Sequence, residues 1–501
     1  MRQLRGAGIV PWWILVARKQ EGGSPQRHLL WGRYPGKLTA QAFRKTLEAE
    51  LDSGGEAPSS TNYFTRSIDL PAASDLCKHL ENAHAVYLDV EQSASLDAEV
   101  IKADIVISLV PPASHVAVIK SAIRNQKNVV TTSYVSPAMR ELDAAAKAAN
   151  IIVLNECGLD PGIDHLLAVS TIDRIHKNGG LVRDFRSYCG ALPAPECSDN
   201  PLGYKFSWAP RGVFMALKSG ARYYRDGKVT AVTSDDLLDK LETVPAPAVH
   251  GLVAYPNRDS TAYRKLYGLS EAKCVMRNTL RYSQFPPIVK TLSDLGLLCD
   301  EMCEYLEPST EKLTWKDLMR LVLDTKSSDG TSLKRAIESK TSFSSDESKA
   351  QILAGIEWLG LFSDEIVTPR HTPLDTLCTT LEQKLRYEEN ERDMVILEHQ
   401  FEIEHDNGDM VSKQTPEKIR TNVQQETRRV SIKRFGDLQG QSALSTLVGV
   451  TAAVAAQMII QGRLSQRGVV APVNIHVAKA MLTELKKYGI KPRIHSAREP
   501  A

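Results

Sequence analysis

An alternation of short apolar strands and helices between Asn62 and Glu156 limits this chain to few folds. Ile105–Val110 is a continuous apolar run, typical of a strand covered on both faces. His115–Asn125 then places its apolar residues on one helical face. Further strands are predicted at Asn62–Thr65, Ala85–Leu88, Asn128–Thr132 and Ile151–Leu154, and a helix at Pro137–Ala149. This alternation predicts an α/β fold with a Rossmann-type doubly wound parallel sheet.

Beyond residue 160 the alternation relaxes. Asp160-Pro161 is typical of a helix N-cap followed by a first-turn proline, and Gly179-Gly180 ends that helix. Met394–His405 alternates like a strand, Asp406-Asn407-Gly408 predicts a hairpin turn, and Lys413–Arg434 is interpreted as a solvated excursion. The predicted organisation is a Rossmann domain at 1–160 rejoined by 440–501, a mixed α/β substrate and dimerisation domain at 161–283 and 388–439, and an all-helical domain at 284–387.

The bulk composition narrows the class of protein. Of 501 residues, 42% are hydrophobic and 24% charged, with a net charge of +2, so no strong field favours nucleic acid or an anionic membrane. The eight cysteines are scattered, without zinc-ligand spacing, so no metal site is expected. Isolated cysteines in a long chain favour a reducing compartment, and we expect a cytoplasmic protein.

Two apolar segments could suggest a membrane. Gly6–Ala17 imitates a signal peptide, but Pro11 interrupts it and Arg18-Lys19-Gln20 stands where small residues would allow cleavage. Ala443–Ile460 is long enough to span a bilayer, yet it contains serine, threonine, glycine and glutamine. We expect a buried core helix there and no membrane partner.

A phosphate-binding loop has one candidate, Gly6-Ala7-Gly8-Ile9-Val10-Pro11. Two glycines suit a tight turn and a close approach of backbone N–H groups to a pyrophosphate. However, Met1–Arg5 is a poor first strand, and residues 11–60 show no clean period where one helix is usual. We interpret 11–60 as an aberrant insertion.

Several turn-rich segments concentrate residues that carry chemistry. They are Ser133-Tyr134, Gly158-Leu-Asp-Pro-Gly162, Ser187-Tyr-Cys-Gly190, Leu192-Pro-Ala-Pro-Glu196, Asn200–Trp208, Pro256-Asn-Arg-Asp-Ser260 and Glu391-Arg-Asp-Met394. Together these segments resemble saccharopine dehydrogenase of the glutamate-forming type, in its stand-alone fungal form. The resemblance runs from about Asn62 to the C-terminus, and it implies a homodimer.

The resemblance implies a reaction and a cofactor. In this family, 2-aminoadipate 6-semialdehyde and glutamate form an imine, which NADPH reduces to saccharopine in lysine biosynthesis. Saccharopine carries three carboxylates, which planar guanidinium groups bind well. The implied substrate-binding residues are Ser133, Tyr134, Asp160, Arg258, Thr279, Leu280 and Arg281. A structural ion pair is the alternative role for each arginine.

The resemblance also places titratable groups and cofactor contacts. The implied catalytic residues are Tyr134, Asp160 and Cys189, with a helix cap and a plain buried thiol as the alternatives for the last two. Arg66, in Thr65-Arg66-Ser67, favours the 2′-phosphate of NADP over NAD. The implied cofactor-binding residues are Gly6, Gly8, Ile9, Val10, Thr65, Arg66, Ser67, Asp89, Val90, Val110, Thr132, Ser133, Leu159, Asp160, Pro161 and Trp208.

Departures from the family leave two other functions open. The irregular N-terminal segment favours a catalytically impaired relative that acts as a binding or scaffold protein. A dehydrogenase for a polyamine-like imine is the other alternative, but Arg258 and Arg281 argue against it because a polyamine has no carboxylates. Asn278 also replaces a small residue near the expected carboxylate site.

Overall fold

The structure is a computed structural model that describes residues 13–17, 63–67, 74, 83–244, 249–307, 312–406 and 423–498. Numbered in chain order, the strands of the first sheet are β1 (Trp13–Ala17), β2 (Tyr63–Ser67), β3 (Ala83–Tyr87), β4 (Ile105–Ser108), β5 (Asn128–Thr131), β6 (Ile152–Leu154) and β16 (Gly468–Val470). Their order across this seven-stranded sheet is β16-β6-β5-β4-β1-β2-β3. All four residues of β4 are buried, as predicted for a strand covered on both faces.

Helices cover this sheet and its neighbour. They are α1 (Ser93–Val100), α2 (His115–Arg124), α3 (Pro137–Arg140), α4 (Asp143–Ala148), α5 (Ile163–Lys177), α13 (Ala443–Ile460) and α14 (Ile475–Lys487). The prediction of a single helix at Pro137–Ala149 was wrong, because the chain forms two helices there, α3 and α4. Between them, the Leu142 amide bonds to the Met139 carbonyl three residues back, which tightens the turn and ends α3.

Strand β1 differs from the expected parallel arrangement. It pairs antiparallel with both β2 and β4. The other neighbouring strands of this sheet pair in parallel: β2 with β3, β4 with β5, β5 with β6, and β6 with β16. The Rossmann-type architecture is therefore confirmed, with one reversed central strand. Trp13–Ala17 also corrects the view that residues 11–60 hold no regular element, since Trp-Ile-Leu-Val-Ala is an apolar strand-forming run. The hydrophobic pattern does not encode strand direction, so sequence reasoning could not supply it.

A second, mixed sheet follows. Its strands are β7 (Gly180–Pro193), β8 (Ala221–Arg225), β9 (Lys228–Val232), β10 (Glu242–Thr243), β11 (Leu252–Pro256), β12 (Arg258–Asp259), β13 (Cys274–Tyr282), β14 (Asp393–Asp406), β15 (Val423–Phe435) and β17 (Arg493–Arg498). The main path runs β10-β11-β13-β7-β14-β15-β17, with β12, β8 and β9 attached beside β13. Strand β13 is parallel to β7, and β14 is antiparallel to β7 and β15.

The second sheet has a hydrophobic core on each face. Along β14, Val395 and Leu397 belong to a core shared with the first sheet, α5 and α13. Met394 and Ile396 belong to another core, shared with a helical layer. That layer contains α8 (Phe285–Asp294), α9 (Trp315–Val322), α10 (Gly330–Lys340), α11 (Asp346–Trp358) and α12 (Pro373–Lys384), while α6 (Pro210–Leu217) and α7 (Thr261–Leu266) precede it in the chain. The continuous apolar run Met394–Leu397 follows from this double burial.

Two expectations for the C-terminal region were wrong. Val423–Phe435 is strand β15, paired along β14, so this part of Lys413–Arg434 is not a solvated excursion. The end of the chain does not all rejoin the first sheet, because β17 pairs with β15. The last pair between β14 and β15 joins Asp406 to Val423. The rest of the predicted Asp406-Asn407-Gly408 turn lies outside the described residues.

Helix α13 supplies much of the first core. Among the described residues it is the one helix with the length and hydropathy of a membrane span, and 89% of that window is buried inside the fold. This confirms the prediction of a core helix. Its N-terminus is held by the Asp393 carboxylate, which accepts hydrogen bonds from the Ala443 and Leu444 amides at 2.6 and 2.9 Å. The Glu391-Arg-Asp-Met394 motif thus has a structural role, because Asp393 ties the second sheet to α13.

Candidate active site

The candidate active site lies where the loop after β5 and the turn before α5 meet strands β12 and β13. The turn, Gly158–Gly162, folds back tightly: the Gly158 amide bonds to the Pro161 carbonyl at 2.9 Å, and the Ile163 amide bonds to the Gly158 carbonyl at 3.0 Å. A Cβ on Gly162 would lie 2.0 Å from the Gly158 carbonyl oxygen, so only glycine fits there. The turn therefore fixes the position of Asp160.

Asp160 is not the cap of α5, which corrects one of its two predicted roles. The helix begins at Ile163 with Gly162 at the N-cap position. The Asp160 carboxylate instead accepts a hydrogen bond from the Tyr134 hydroxyl at 2.9 Å. Two residues implied as catalytic are thus in direct contact.

Arg277 is the central residue of this cluster, although it lies outside the motifs recognised in the sequence. Only 2% of its side chain is exposed, and its guanidinium forms ion pairs with Asp160 and, at 3.3 Å, with Asp164. It also donates hydrogen bonds to the hydroxyls of Tyr134 at 2.7 Å and Tyr263 at 3.1 Å. The sequence feature that could have identified Arg277 is its position in the middle of the buried strand β13, where a charged side chain needs a partner.

Tyr134 is held between charged groups. Burial raises the pKa of its hydroxyl well above the usual 10.0, and the nearby Asp160 carboxylate raises it further, while the Arg277 guanidinium opposes both. The hydroxyl is therefore neutral at physiological pH. It can donate a hydrogen bond, but it does not act as a phenolate base.

Behind Asp160 lies a second set of titratable groups, around His165 on α5. The imidazole is fully buried, with Nε2 2.8 Å from the Glu156 carboxylate and Nδ1 2.6 Å from the Tyr267 hydroxyl. Burial lowers the pKa of His165, but the Asp164 and Glu156 carboxylates raise it more, so its net pKa lies above 6.5. The two carboxylates therefore favour the imidazolium.

Arg258 and Arg281, both predicted to bind substrate, lack carboxylate partners among the described residues. The Arg258 guanidinium lies over the Tyr134 ring, 5.6 Å from its centroid. Arg281 is 6% exposed, lies over the rings of Tyr204 and Phe285, and donates one hydrogen bond, to the Leu280 carbonyl at 2.7 Å. Among the described residues, its Nε has no hydrogen-bond partner. A buried cation without a counter-ion is costly, so Arg281 suits an anionic ligand, and the half-buried Arg258 guanidinium is accessible to the same ligand.

The remaining implied substrate and catalytic residues lie on neighbouring strands. Thr279 of β13 is paired with Cys189 of β7. Burial raises the pKa of the Cys189 thiol well above 9.0, with the Asp160 charge adding to this, so the thiol is protonated at neutral pH. Leu280 is fully buried in the second core, against Gly190, and its side chain is a packing group.

The implied cofactor residues collect at the carboxyl edge of the parallel strands. Thr65, Arg66 and Ser67 end β2, Asp89 and Val90 follow β3, Val110 follows β4, Thr132 and Ser133 follow β5, and Leu159, Asp160 and Pro161 lie in the turn after β6. This edge is where dinucleotides bind in open α/β sheets. Trp208 packs over Gly212, whose added Cβ would lie 2.3 Å from its ring. Gly6, Gly8, Ile9 and Val10 lie outside the described residues.

Comparison with known proteins decides the family. A family model described as the saccharopine dehydrogenase NADP binding domain matches residues 66–154. A second, described as the saccharopine dehydrogenase C-terminal domain, matches residues 158–490. The chain belongs to the saccharopine dehydrogenase family. This confirms the resemblance of the sequence motifs, and the matched domain confirms NADP as the family's cofactor.

Similar saccharopine dehydrogenases cover nearly the whole chain. The NADP(+)-dependent, L-glutamate-forming saccharopine dehydrogenase of Pyricularia oryzae is 46% identical over 452 residues, which is 89% of this chain and 95% of that protein. The Saccharomyces cerevisiae protein of the same name is 43% identical over 84% of this chain and 94% of its own length. A solved apo structure of the S. cerevisiae enzyme covers 94% of this chain and 99% of its own, with a TM-score of 0.79 and 40% identity.

Proposed function

We propose that this chain is a saccharopine dehydrogenase that interconverts saccharopine with L-glutamate and L-2-aminoadipate 6-semialdehyde, with NADP(H) as cofactor. The observation that carries the proposal is the contrast among three arginines. Arg277 is neutralised internally by Asp160 and Asp164, whereas Arg258 and Arg281 have no carboxylate partner among the described residues. A ligand with several carboxylates, such as saccharopine, would supply the missing counter-ions.

The carboxyl edge of the first sheet fits NADP. Arg66 lies at the end of β2, and Thr132 and Ser133 follow β5. Residues of these types supply guanidinium and hydroxyl donors, which suit phosphate and ribose groups. When bound, NADPH supplies the hydride that reduces the imine. The protein then has to bind the carboxylates, orient the imine and exclude water.

Asp160 is the proposed proton acceptor among the three implied catalytic residues. The Tyr134 hydroxyl and the Cys189 thiol both have raised pKa values and stay protonated, so neither can remove a proton at neutral pH. Imine formation takes protons from the glutamate nitrogen and delivers one to the departing oxygen, which leaves as water. Asp160 would accept a proton from the glutamate nitrogen and return it to the departing oxygen, while Tyr134 and Arg277 hold its carboxylate in place.

A recombinant chain tests this function directly. NADPH formation, followed by absorbance with saccharopine and NADP+, should depend on saccharopine and should fall when Arg258 is replaced by alanine. Arg222→Ala is the matched control, because Arg222 pairs with Asp259 at an exposed position. A chain that binds NADPH but does not turn over saccharopine would contradict the proposal.

The comparisons favour the enzyme over a catalytically impaired relative, because fungal proteins that are 42–46% identical carry the enzyme's name. Calorimetric titration with NADPH tests the cofactor site separately from turnover. A micromolar or tighter dissociation constant supports the enzyme, and absence of binding would contradict it.

The assembly, location and domain boundaries belong to the same proposal. The family resemblance supports a homodimer, and among the described residues every cysteine is a free thiol, which suits the cytoplasm. The proposed helical domain at 284–387 shares its core with one face of the second sheet, so we expect it to pack on that sheet as a layer. Light scattering and limited proteolysis would measure the assembly and the boundaries.

A further inference from the structure

We propose that His115 is a positioning residue that aims the Ser133 hydroxyl at a carboxylate oxygen of the substrate. This inference rests on the proposed function. Ser133 lies next to Tyr134 in the candidate site, whereas His115 lies behind it in the core of the first sheet. His115 acts only through Ser133.

His115 joins the ends of two neighbouring parallel strands. It is the first residue of α2 and is fully buried. Its Nδ1 lies 2.8 Å from the Oγ of Ser108, the last residue of β4, and its Nε2 lies 2.8 Å from the Oγ of Ser133. Thr131 Oγ1 lies farther from Nε2, at 3.4 Å, and accepts a bond from the Ser133 amide at 3.2 Å. The imidazole therefore bridges Ser108 and Ser133.

The bridge has a direction because the imidazole is neutral. Burial lowers the pKa of His115 to about 4, so at physiological pH one ring nitrogen donates and the other accepts. If Nδ1 accepts from Ser108, then Nε2 donates to Ser133 and occupies an acceptor site of its oxygen. The Ser133 hydrogen is then free to donate to a ligand. In the opposite tautomer, the Ser133 hydrogen points back at the ring.

The surroundings of Ser133 favour the first tautomer. The Ser133 carbonyl accepts a bond from the Glu156 amide at 3.1 Å, which fixes the backbone, and the side chain is half-buried. The next residue, Tyr134, lies beneath the Arg258 guanidinium, which has no carboxylate partner in the described part of the chain. A carboxylate bound by Arg258 accepts hydrogen bonds and donates none, so it would need the Ser133 hydrogen to face the cleft.

Two amide substitutions separate this role from simple core packing. The amide nitrogen of His115→Gln can take the place of Nε2 and keep the bond to Ser133, whereas the shorter side chain of His115→Asn reaches only the place of Nδ1, towards Ser108. We expect His115→Gln to keep the Michaelis constant for saccharopine within about threefold and His115→Asn to raise it about tenfold or more. In His115→Asn the dissociation constant for NADPH should rise less than the Michaelis constant does, because the proposal assigns the Ser133 hydroxyl to the substrate.

Ser133→Ala supplies the coupling test. If His115 acts through Ser133, adding His115→Asn to Ser133→Ala raises the Michaelis constant no further. A purely structural His115 predicts equal losses in the Gln and Asn variants, additive to Ser133→Ala, and that result would overturn the proposal. Thermal unfolding of each variant shows whether it is folded.

The tautomer can be measured without activity. Nitrogen chemical shifts of selectively labelled histidine in the unmodified chain, assigned with His115→Gln, should show a proton on Nε2 and none on Nδ1. A proton on Nδ1 would overturn the inference even if saccharopine is turned over. An Nε2–H tautomer in a chain that does not oxidise saccharopine would reject the proposed function while leaving the hydrogen-bond geometry intact.

Discussion

The Arg277 Nη2 lies 2.7 Å from the Tyr134 hydroxyl, which joins the middle of β13 in the second sheet to the loop after β5 in the first. The same guanidinium pairs with Asp160 and Asp164, on the turn before α5 and on α5 itself. Residues from both sheets thus share one buried cation. The candidate active site is built on this contact between the sheets.

Replacing Arg277 should destabilise the fold as well as the site. Arg277→Leu leaves two buried carboxylates without their cation, which costs about 3–5 kcal/mol of unfolding free energy. Urea denaturation measures this loss. Arg222→Ala, which breaks an exposed ion pair with Asp259, is the control and should leave the midpoint unchanged. Equal midpoints for Arg277→Leu and the native chain would contradict the central role of Arg277.

The arginines without carboxylate partners should behave differently from Arg277. Arg281→Met removes a buried cation that has no counter-ion among the described residues, so the unliganded protein should gain about 1–3 kcal/mol of stability. The same variant should weaken saccharopine binding, because the ligand carboxylate loses its partner. Denaturation measures the expected gain in stability, and substrate titration of the same preparation measures the expected loss of saccharopine binding. A variant that is less stable would show that Arg281 has a structural role instead.

Arg258→Ala should weaken saccharopine binding by about 2–4 kcal/mol, the cost of leaving a buried carboxylate unpaired. Loss of its contact with the Tyr134 ring should have little effect on folding, since Arg258 is half-buried. Steady-state kinetics with saccharopine as the varied substrate measure the change. An unchanged Michaelis constant would remove Arg258 from the site.

The His165 cluster predicts a pH dependence of stability. The folded-state pKa of His165 is raised above 6.5 by Asp164 and Glu156, so its stabilising contribution is present below pH 6.5 and is lost as the pH rises through the folded pKa. Relative to His165→Gln, the native chain should therefore lose stability as the pH rises above 6.5. Denaturation of both proteins at several pH values measures the difference. A constant difference across this range would show that the pKa of His165 is not raised in the folded state.

Much of the fold was predictable because it depends on local pattern. The apolar run of β4, the alternation of β14 and the apolar composition of α13 each report burial directly. The site was only partly predictable. Arg258 and Arg281 stand in recognisable motifs, but Arg277 acquires its role from Tyr134 and Asp160, which are 143 and 117 residues away in the chain. Such contacts arise from the packing of two sheets, which periodicity does not report.

Arg66 provides a test of cofactor choice. It is the penultimate residue of β2, next to Ser67 at the carboxyl end of the strand, where a cation suits the 2′-phosphate of NADP. Arg66→Ala should therefore lower the preference for NADPH over NADH by about tenfold or more, because hydrogen bonds between a guanidinium and a phosphate are charge-assisted and strong. Affinity for NADH should change little, because NADH lacks that phosphate. Arg222→Ala again serves as the control, with an unchanged ratio. If Arg66→Ala weakens both cofactors equally, Arg66 contributes to the shape of β2 and another residue reads the phosphate.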